Sequence, residues 1–328
     1  MPSGRRMRAG RLRSLFVCVL VFHALSARLA ASLDPNKPIR QFIQKSWQTE
    51  QGLPQDSVLA IAQTSEGYLW LGTEEGLVRF DGLRFKIFDK RVSGLLTNQI
   101  QVLYVDREDN LWIGTNGGGL SRLSQGRFST YTIKDGLSSN SIRALYQDRS
   151  GALWIGTDGG GLDCLENGRF RVFSRSDGLP DDAVYSVTGD ADGVLWIGTH
   201  AGLTTLSGGR FSPAVFLSVL PSVSIRSIAI GRNGLIWMGT DDGLYRLTKS
   251  GSMARYTTRD GLLSNTIYSV YEDRAGTLWI GTAGGGLNRF ANGGFDSYSE
   301  KDGLKAKMSW QSRRIARAAC GSVQATAD

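Results

Sequence analysis

The stretch Leu153-Trp-Ile-Gly-Thr157 decides the reading, because close copies of it return at a fixed interval. They are Leu69-Trp-Leu-Gly-Thr73, Leu111-Trp-Ile-Gly-Thr115, Leu195-Trp-Ile-Gly-Thr199, Ile236-Trp-Met-Gly-Thr240 and Leu278-Trp-Ile-Gly-Thr282. The tryptophans fall at 70, 112, 154, 196, 237 and 279, so the step is 42 residues four times and 41 once. One unit, residues 141–178, shows what repeats. Ile142 to Tyr146 alternates as a strand, and Asp148-Arg-Ser-Gly151 is a turn in which Asp caps its own backbone. Leu153 to Thr157 forms a second strand, Asp158-Gly-Gly-Gly161 a second turn, and Leu162 to Leu165 a third strand. Asn167-Gly168 closes a hairpin onto a fourth, Phe170 to Phe173. Four short antiparallel strands per unit make one propeller blade. The chain is therefore expected to be all-β, a propeller of six four-stranded blades with about 24 strands over residues 33–304.

A side chain present in every copy belongs first to the blade. An aromatic ring of this size buries about 150–250 Å², worth roughly 4–6 kcal/mol at ~25 cal/mol/Å². The Trp series is accordingly assigned to the space between neighbouring sheets, with sugar stacking as the alternative. The runs Gly117–Gly119, Gly159–Gly161 and Gly284–Gly286 precede strands, with no helix or Lys-Ser/Thr behind them, so they are turns and not phosphate loops.

In most units an aromatic of the fourth strand precedes the Gly of Asp-Gly-Leu by five residues, as in Tyr131 and Gly136, Phe173 and Gly178, or Tyr256 and Gly261. Trp47 and Gly52 share that offset, which marks Ile39–Trp47 as a fourth strand with no first three ahead of it. Propellers hide their edges by pairing such a strand with the last blade. After Asp302-Gly-Leu304 the pattern stops, and residues 305–328 read as a non-repeat tail, as though a seventh blade were cut short. An incomplete seven-bladed ring is expected, with its Ile39–Trp47 strand lacking its ladder partner or pairing irregularly and its exposed edges prone to self-association.

The chain has 328 residues, 42 of them glycine and 8 tryptophan, and a formal net charge of +8. That charge sits at the ends. Residues 1–32 hold six Arg and no acid, and residues 301–328 hold six Lys or Arg against two Asp; the rest carries 26 bases and 28 acids. Nucleic-acid binding requires a basic face on the folded body, so no nucleic-acid partner is expected. Arg5, Arg6, Arg8, Arg11 and Arg13 precede the apolar run Leu15–Phe22, and small residues follow at Ala24 to Ser32. Residues 1–32 are thus read as a signal peptide, with an uncleaved anchor as the alternative, and the mature chain as periplasmic or secreted. The cysteines, at 18, 164 and 320, form no disulfide framework or zinc site, and Cys164 reads as a small apolar filler of a strand.

Trp47-Gln-Thr-Glu-Gln-Gly-Leu-Pro54, Gly67-Tyr-Leu-Trp-Leu-Gly-Thr73 and Gly76-Leu-Val-Arg-Phe-Asp-Gly82 together resemble the opening of the two-component regulator propeller family. The later Trp-Ile-Gly-Thr, Gly-Gly-Gly-Leu and Asp-Gly-Leu phrases are similar to that family's repeats, and the resemblance covers residues 34–304. It implies the periplasmic input region of a sensor histidine kinase or diguanylate cyclase. Members usually continue into a β-sandwich, a membrane helix and the output enzyme, and usually carry about twice as many repeats. No phrase of those later domains is found in this sequence, so only the sensing half of the function is expected, without catalysis by the propeller.

Catalytic groups are sparse. Once a signal is removed His200 is the single histidine, which argues against a His-dependent triad or a multi-His metal site. Asp190-Ala-Asp192-Gly193 has the look of a calcium loop, but its later ligands are missing and it occupies an ordinary turn of its blade. Neither metal nor cofactor is expected. Carboxylate pairs stay open, since sequence does not display proximity.

Function is sought where the copies differ. The second position of the first strand reads Leu59, Gln101, Arg143, Tyr185, Arg226 and Tyr268, between neighbours that are apolar or small. In a propeller that strand runs along the central channel. The residues after the Trp phrase, Asp158 and His200 among them, share the same face. Gln101, Arg143, Tyr185, Arg226, Tyr268, Asp158 and His200 are therefore the candidate binding residues. Two arginines, two tyrosines and a glutamine suit a polar, anionic ligand. The alternative is that they solvate a channel. A carbohydrate ligand is implied by the resemblance alone; the competing functions are a secreted propeller lyase or hydrolase and a protein-interaction scaffold.

Overall fold

The computed structural model describes residues 47–302, except 92, 214–222 and 274. The signal-peptide reading, all of Ile39–Trp47 but Trp47 and the tail after Asp302 lie outside the described residues. Within them the body is a six-bladed β-propeller of 24 strands in six four-stranded antiparallel sheets, as the Trp spacing predicts. Its only helical elements there are 3₁₀ turns of three residues, such as Ile133–Asp135. No helix among the described residues is long and apolar enough to cross a membrane.

Blade 1 comprises β1 (Val58–Gln63), β2 (Leu69–Thr73), β3 (Gly76–Phe80) and β4 (Phe85–Phe88). Blade 2 comprises β5 (Ile100–Val105), β6 (Leu111–Thr115), β7 (Leu120–Ser124) and β8 (Arg127–Tyr131). Blade 3 runs through β9 (Ile142–Gln147), β10 (Leu153–Thr157), β11 (Leu162–Glu166) and β12 (Arg169–Phe173). Blade 4 follows with β13 (Val184–Gly189), β14 (Leu195–Thr199), β15 (Gly202–Ser207) and β16 (Arg210–Pro213). Blade 5 holds β17 (Ile225–Ile230), β18 (Ile236–Thr240), β19 (Leu244–Leu247) and β20 (Met253–Tyr256). Blade 6 ends the series with β21 (Ile267–Glu272), β22 (Leu278–Thr282), β23 (Gly286–Ala291) and β24 (Gly294–Tyr298).

The Trp phrase is explained residue by residue. The indole packs between blades: Trp154 shares a buried cluster with Val184, Val187 and Leu195 of the next blade, and Trp112 one with Ile142 and Leu145. Its Nε1 donates to an aspartate six residues earlier, Trp112 to Asp106 and Trp154 to Asp148 at 2.7 Å, Trp196 to Asp190 and Trp279 to Asp273 at 2.9 Å. The same aspartate caps the first turn, since Asp148 Oδ1 accepts from the N–H groups of Ser150 and Ala152. The Gly of the phrase leaves room for the next inner strand: a Cβ at Gly156 would lie 2.8 Å from Val184 Cγ1. The fully buried Thr157 hydroxyl donates to the Gly161 carbonyl and closes the second turn. At the hairpin, Asn167 and Gly168 have φ of 50° and 75°, the paired left-handed residues that a two-residue turn onto twisted strands needs.

The inner strands pack in succession, β1 on β5, β5 on β9, β9 on β13, β13 on β17 and β17 on β21, while β21 does not pack on β1 in this way. Five buried layers join blades 1 to 6 in order. Two smaller clusters lie on the outer faces, around Leu71 and Val78 of blade 1 and around Trp279 and Tyr298 of blade 6. Since β23 lies between β22 and β24, its sheet leaves no edge of β23 for an added N-terminal strand. Leu287–Phe290 is thus paired on both edges within its own blade.

Candidate functional site at the channel mouth

All six inner strands line one central cavity of about 600 Å³. At its mouth the strands share an irregularity. In blade 3, Ile142 pairs with Thr157 and Ala144 with Gly156, which makes Arg143 the extra, bulged residue of the strand. The same shift occurs in every blade, and the bulged residue is Leu59, Gln101, Tyr185, Arg226 or Tyr268 in the others. A bulge bends its strand and re-aims one side chain out of the alternating pattern. The position that varies between copies is thus the one the backbone releases from sheet packing.

In blades 2, 3, 4 and 6 the turn after the Trp strand is bonded through its backbone to the residue before the inner strand. The backbone N–H of Asp158 donates to the Ser141 carbonyl and that of His200 to the Ala183 carbonyl, both at 2.9 Å. Asp158 is thereby brought to Arg143, and their Nη2–Oδ2 distance is 2.5 Å with both side chains about one-third exposed. In blade 4, Tyr185 meets the His200 ring edge-to-face at 6.1 Å, and the Ser224 hydroxyl lies 3.0 Å from His200 Nδ1. The Arg226 guanidinium sits between two rings, 6.0 Å from the centroid of Tyr185 and 5.4 Å from that of Tyr268. Its carboxylate partner, Asp241, is 3.7 Å away.

The electrostatics follow from this grouping. Burial pushes the Tyr185 phenol above its ordinary range, the Asp158 carboxylate adds to the shift, and the Arg143 and Arg226 guanidiniums oppose it. The mouth over blades 3 to 6 therefore holds two cations, two carboxylates, two phenols and an imidazole within reach of one another. Six of the seven sequence candidates contribute to it. Gln101 does not: it is 7% exposed and lines the cavity below with Leu59. Asp241, which follows Thr240 as Asp158 follows Thr157, is placed on this face by the sequence as well, but its pairing with Arg226 and the place of Ser224 were not legible there. Among the described residues no group of three or more His, Cys, Asp or Glu is placed to hold a metal ion.

Six segments of the chain, residues 52–75, 94–117, 136–159, 178–201, 219–242 and 261–284, match the family described as two component regulator propeller. Histidine kinase P4 of Formosa agariphila is 40% identical over 70 residues, which is 21% of this chain and 5% of that kinase. The extracellular domain of a hybrid two-component system from B. thetaiotaomicron superposes with a TM-score of 0.52 at 23% identity, over 74% of this chain and 40% of that one. A catalytically inactive virginiamycin B lyase from Staphylococcus aureus, solved with quinupristin, superposes with a TM-score of 0.61 at 16% identity, over 76% of this chain and 85% of that one. Both structural likenesses, at these identities, speak to the fold alone. The chain spans 5% of the kinase and 40% of the two-component extracellular domain. Its six repeats, and with them the propeller body, belong to the two-component regulator propeller family.

Proposed function

We propose that this propeller is the extracytoplasmic ligand-sensing module of a two-component-type sensor, and that it takes a polar, anionic small molecule or an acidic glycan at the channel mouth. One observation carries the reading. Arg226 is held by two aromatic faces and by a carboxylate at 3.7 Å, beyond ordinary hydrogen-bond distance, so an incoming anion can exchange for Asp241 at small cost. Tyr185 and His200 flank it as an edge-to-face aromatic pair, a surface that suits a sugar ring. The family match and the extracellular two-component relative support a sensing role and an extracytoplasmic location.

The test is a thermal-shift and calorimetric screen of acidic and neutral oligosaccharides and small carboxylates against the chain. Saturable binding of an acidic member, weakened in Arg226→Ala, is expected. A screen with no binder, or a binder indifferent to both Arg226→Ala and Arg143→Ala, would remove the mouth as the site. Turnover of the ligand in the same samples, read by chromatography, would replace sensing with the lyase or hydrolase function.

A further inference from the structure

Across the sheet from each blade's Trp stands one residue of the third strand: Arg79, Arg122, Cys164, Thr205, Arg246 or Arg289. In blades 2 and 5 the guanidinium of that arginine lies over the indole, 5.6 and 5.9 Å from the ring centroid, and in blade 1 Arg79 lies on Tyr68 at 4.2 Å with the Trp70 centroid 6.0 Å away. In blades 2 and 5 the arginine Nε is buried without an acceptor, so the aromatic face contributes to holding the group there. The fold thus contains a recurrent seat for a guanidinium beside its repeated tryptophan, clearest in blades 2 and 5.

In blade 3 that seat is empty of arginine. The side chain of Cys164 ends at a buried thiol, and a cavity of about 670 Å³ opens between blades 3 and 4. Trp154 and Phe173 line its aromatic wall, Asp148 and Glu166 supply carboxylates beside the guanidinium-bearing Arg169 and Arg171, and Gly208-Gly209 of blade 4 line the far side. Burial chiefly, then the Asp148 and Glu166 carboxylates, push the Cys164 thiol up to about 11, so it stays a neutral apolar floor. Arg171 stands opposite Cys164 in the ladder but carries its guanidinium over Phe173, 4.5 Å from that ring's centroid.

We propose that the cavity between blades 3 and 4 binds a guanidinium-bearing ligand, such as an arginine side chain, seated over Trp154 where blades 2 and 5 place their own arginines. Asp148 and Glu166 are its counter-charges. The site is separate from the channel mouth and does not rest on the sensing assignment.

The experiment uses L-argininamide, with L-citrullinamide as its uncharged isostere, added to the full chain. The indole N–H resonance of Trp154, assigned with Trp154→Phe, is followed by NMR and the affinity by calorimetry. Argininamide should shift that resonance saturably and citrullinamide should not. Cys164→Arg fills the seat from within and should weaken binding by about tenfold or more without lowering the melting temperature, while Cys164→Ala keeps the cavity and the binding. Glu166→Gln, at an exposed position, should weaken binding severalfold, and Arg226→Ala should leave it unchanged. An equal response to citrullinamide, undiminished binding by Cys164→Arg and Glu166→Gln, or no shift at all overturns the proposal.

Discussion

At the third position of the Trp strand, Ile113, Ile155, Ile197 and Ile280 are alike and fully buried. At the second position of the innermost strand the same units carry Gln101, Arg143, Tyr185 and Tyr268. The first position lies in the layer between blades, where each residue meets the next copy of the same surface and any change of volume is felt on both sides. The second lies on a bulge, where the side chain leaves the regular alternation of the sheet and faces the channel mouth or the cavity below it. Repetition is imposed by packing and variation is permitted by its absence. The Trp-to-Asp bonds mark the first region, and the Arg226 group, shared by three blades, marks the second.

The largest test of that contrast removes a repeated residue. Trp154→Ala deletes the indole from a layer it shares with blade 4 and strips Asp148 of a 2.7 Å partner. The expected loss is roughly 3–5 kcal/mol of stability, as for other large-to-small core truncations. Chemical denaturation measures it. A loss as small as that of a surface substitution would show that the layers are not what holds the blades together.

A variable residue should behave in the opposite way. Arg226→Ala and Arg143→Ala are expected to leave the melting temperature nearly unchanged, since both side chains are partly exposed and held in half-solvated pairs. For an anionic ligand at the mouth, each should weaken binding by about 1.5–3 kcal/mol, the range for hydrogen bonds to a charged group. Arg226→Ala should lie at the upper end and Arg143→Ala at the lower, because Arg143 is already committed to Asp158 at 2.5 Å. Titration calorimetry on the two variants gives the order, and the reverse order would place the ligand over blade 3 instead of blade 5.

The repeated region was legible in the sequence because packing repeats with the chain: the 42-residue step, the turn residues and the four strands per unit all follow from it. The aspartate six residues before the Trp was also there to be read, at 106, 148, 190 and 273. The mouth was legible only as a list. A one-residue bulge looks like unbroken strand alternation in a sequence, so the re-aimed side chains could be named but not paired. Gln101 shares the register of Arg143 but is buried, and with Leu59 it lines the cavity. The seat beside Cys164 was hidden for another reason: a small residue reads as filler until the arginines at its equivalent positions in blades 2 and 5 are seen lying on their tryptophans.

Asp163 offers the finest test, because it breaks the rule of the repeated region from within. It is fully buried in β11, opposite Ile155, at the place that Asn288 holds opposite Ile280 in blade 6. Asn288 accepts from the Leu263 N–H at 3.0 Å and donates from Nδ2 to the Gly261 carbonyl at 3.1 Å and to the Ser297 hydroxyl oxygen at 2.7 Å. Asp163 accepts the matching bond from the Ser138 N–H at 2.9 Å, but its Oδ1 has no partner. Burial raises its carboxyl to about 6, against the opposing hydrogen bonds from Ser138. A folded-state value above the unfolded 3.8 favours the protonated form in the fold, so the contribution to stability is full below pH 3.8 and is lost as pH rises through about 6. Between pH 5 and 7.5 the wild-type chain should therefore lose about 1–1.5 kcal/mol through this one group. Asp163→Asn replaces the carboxylate by the amide that blade 6 already uses, and should be more stable than the wild type at pH 7.5, with the advantage shrinking toward pH 5. Denaturation at the two pH values decides the matter: an advantage that does not shrink on acidification would mean that Asp163 is ionised throughout and finds a donor in solution.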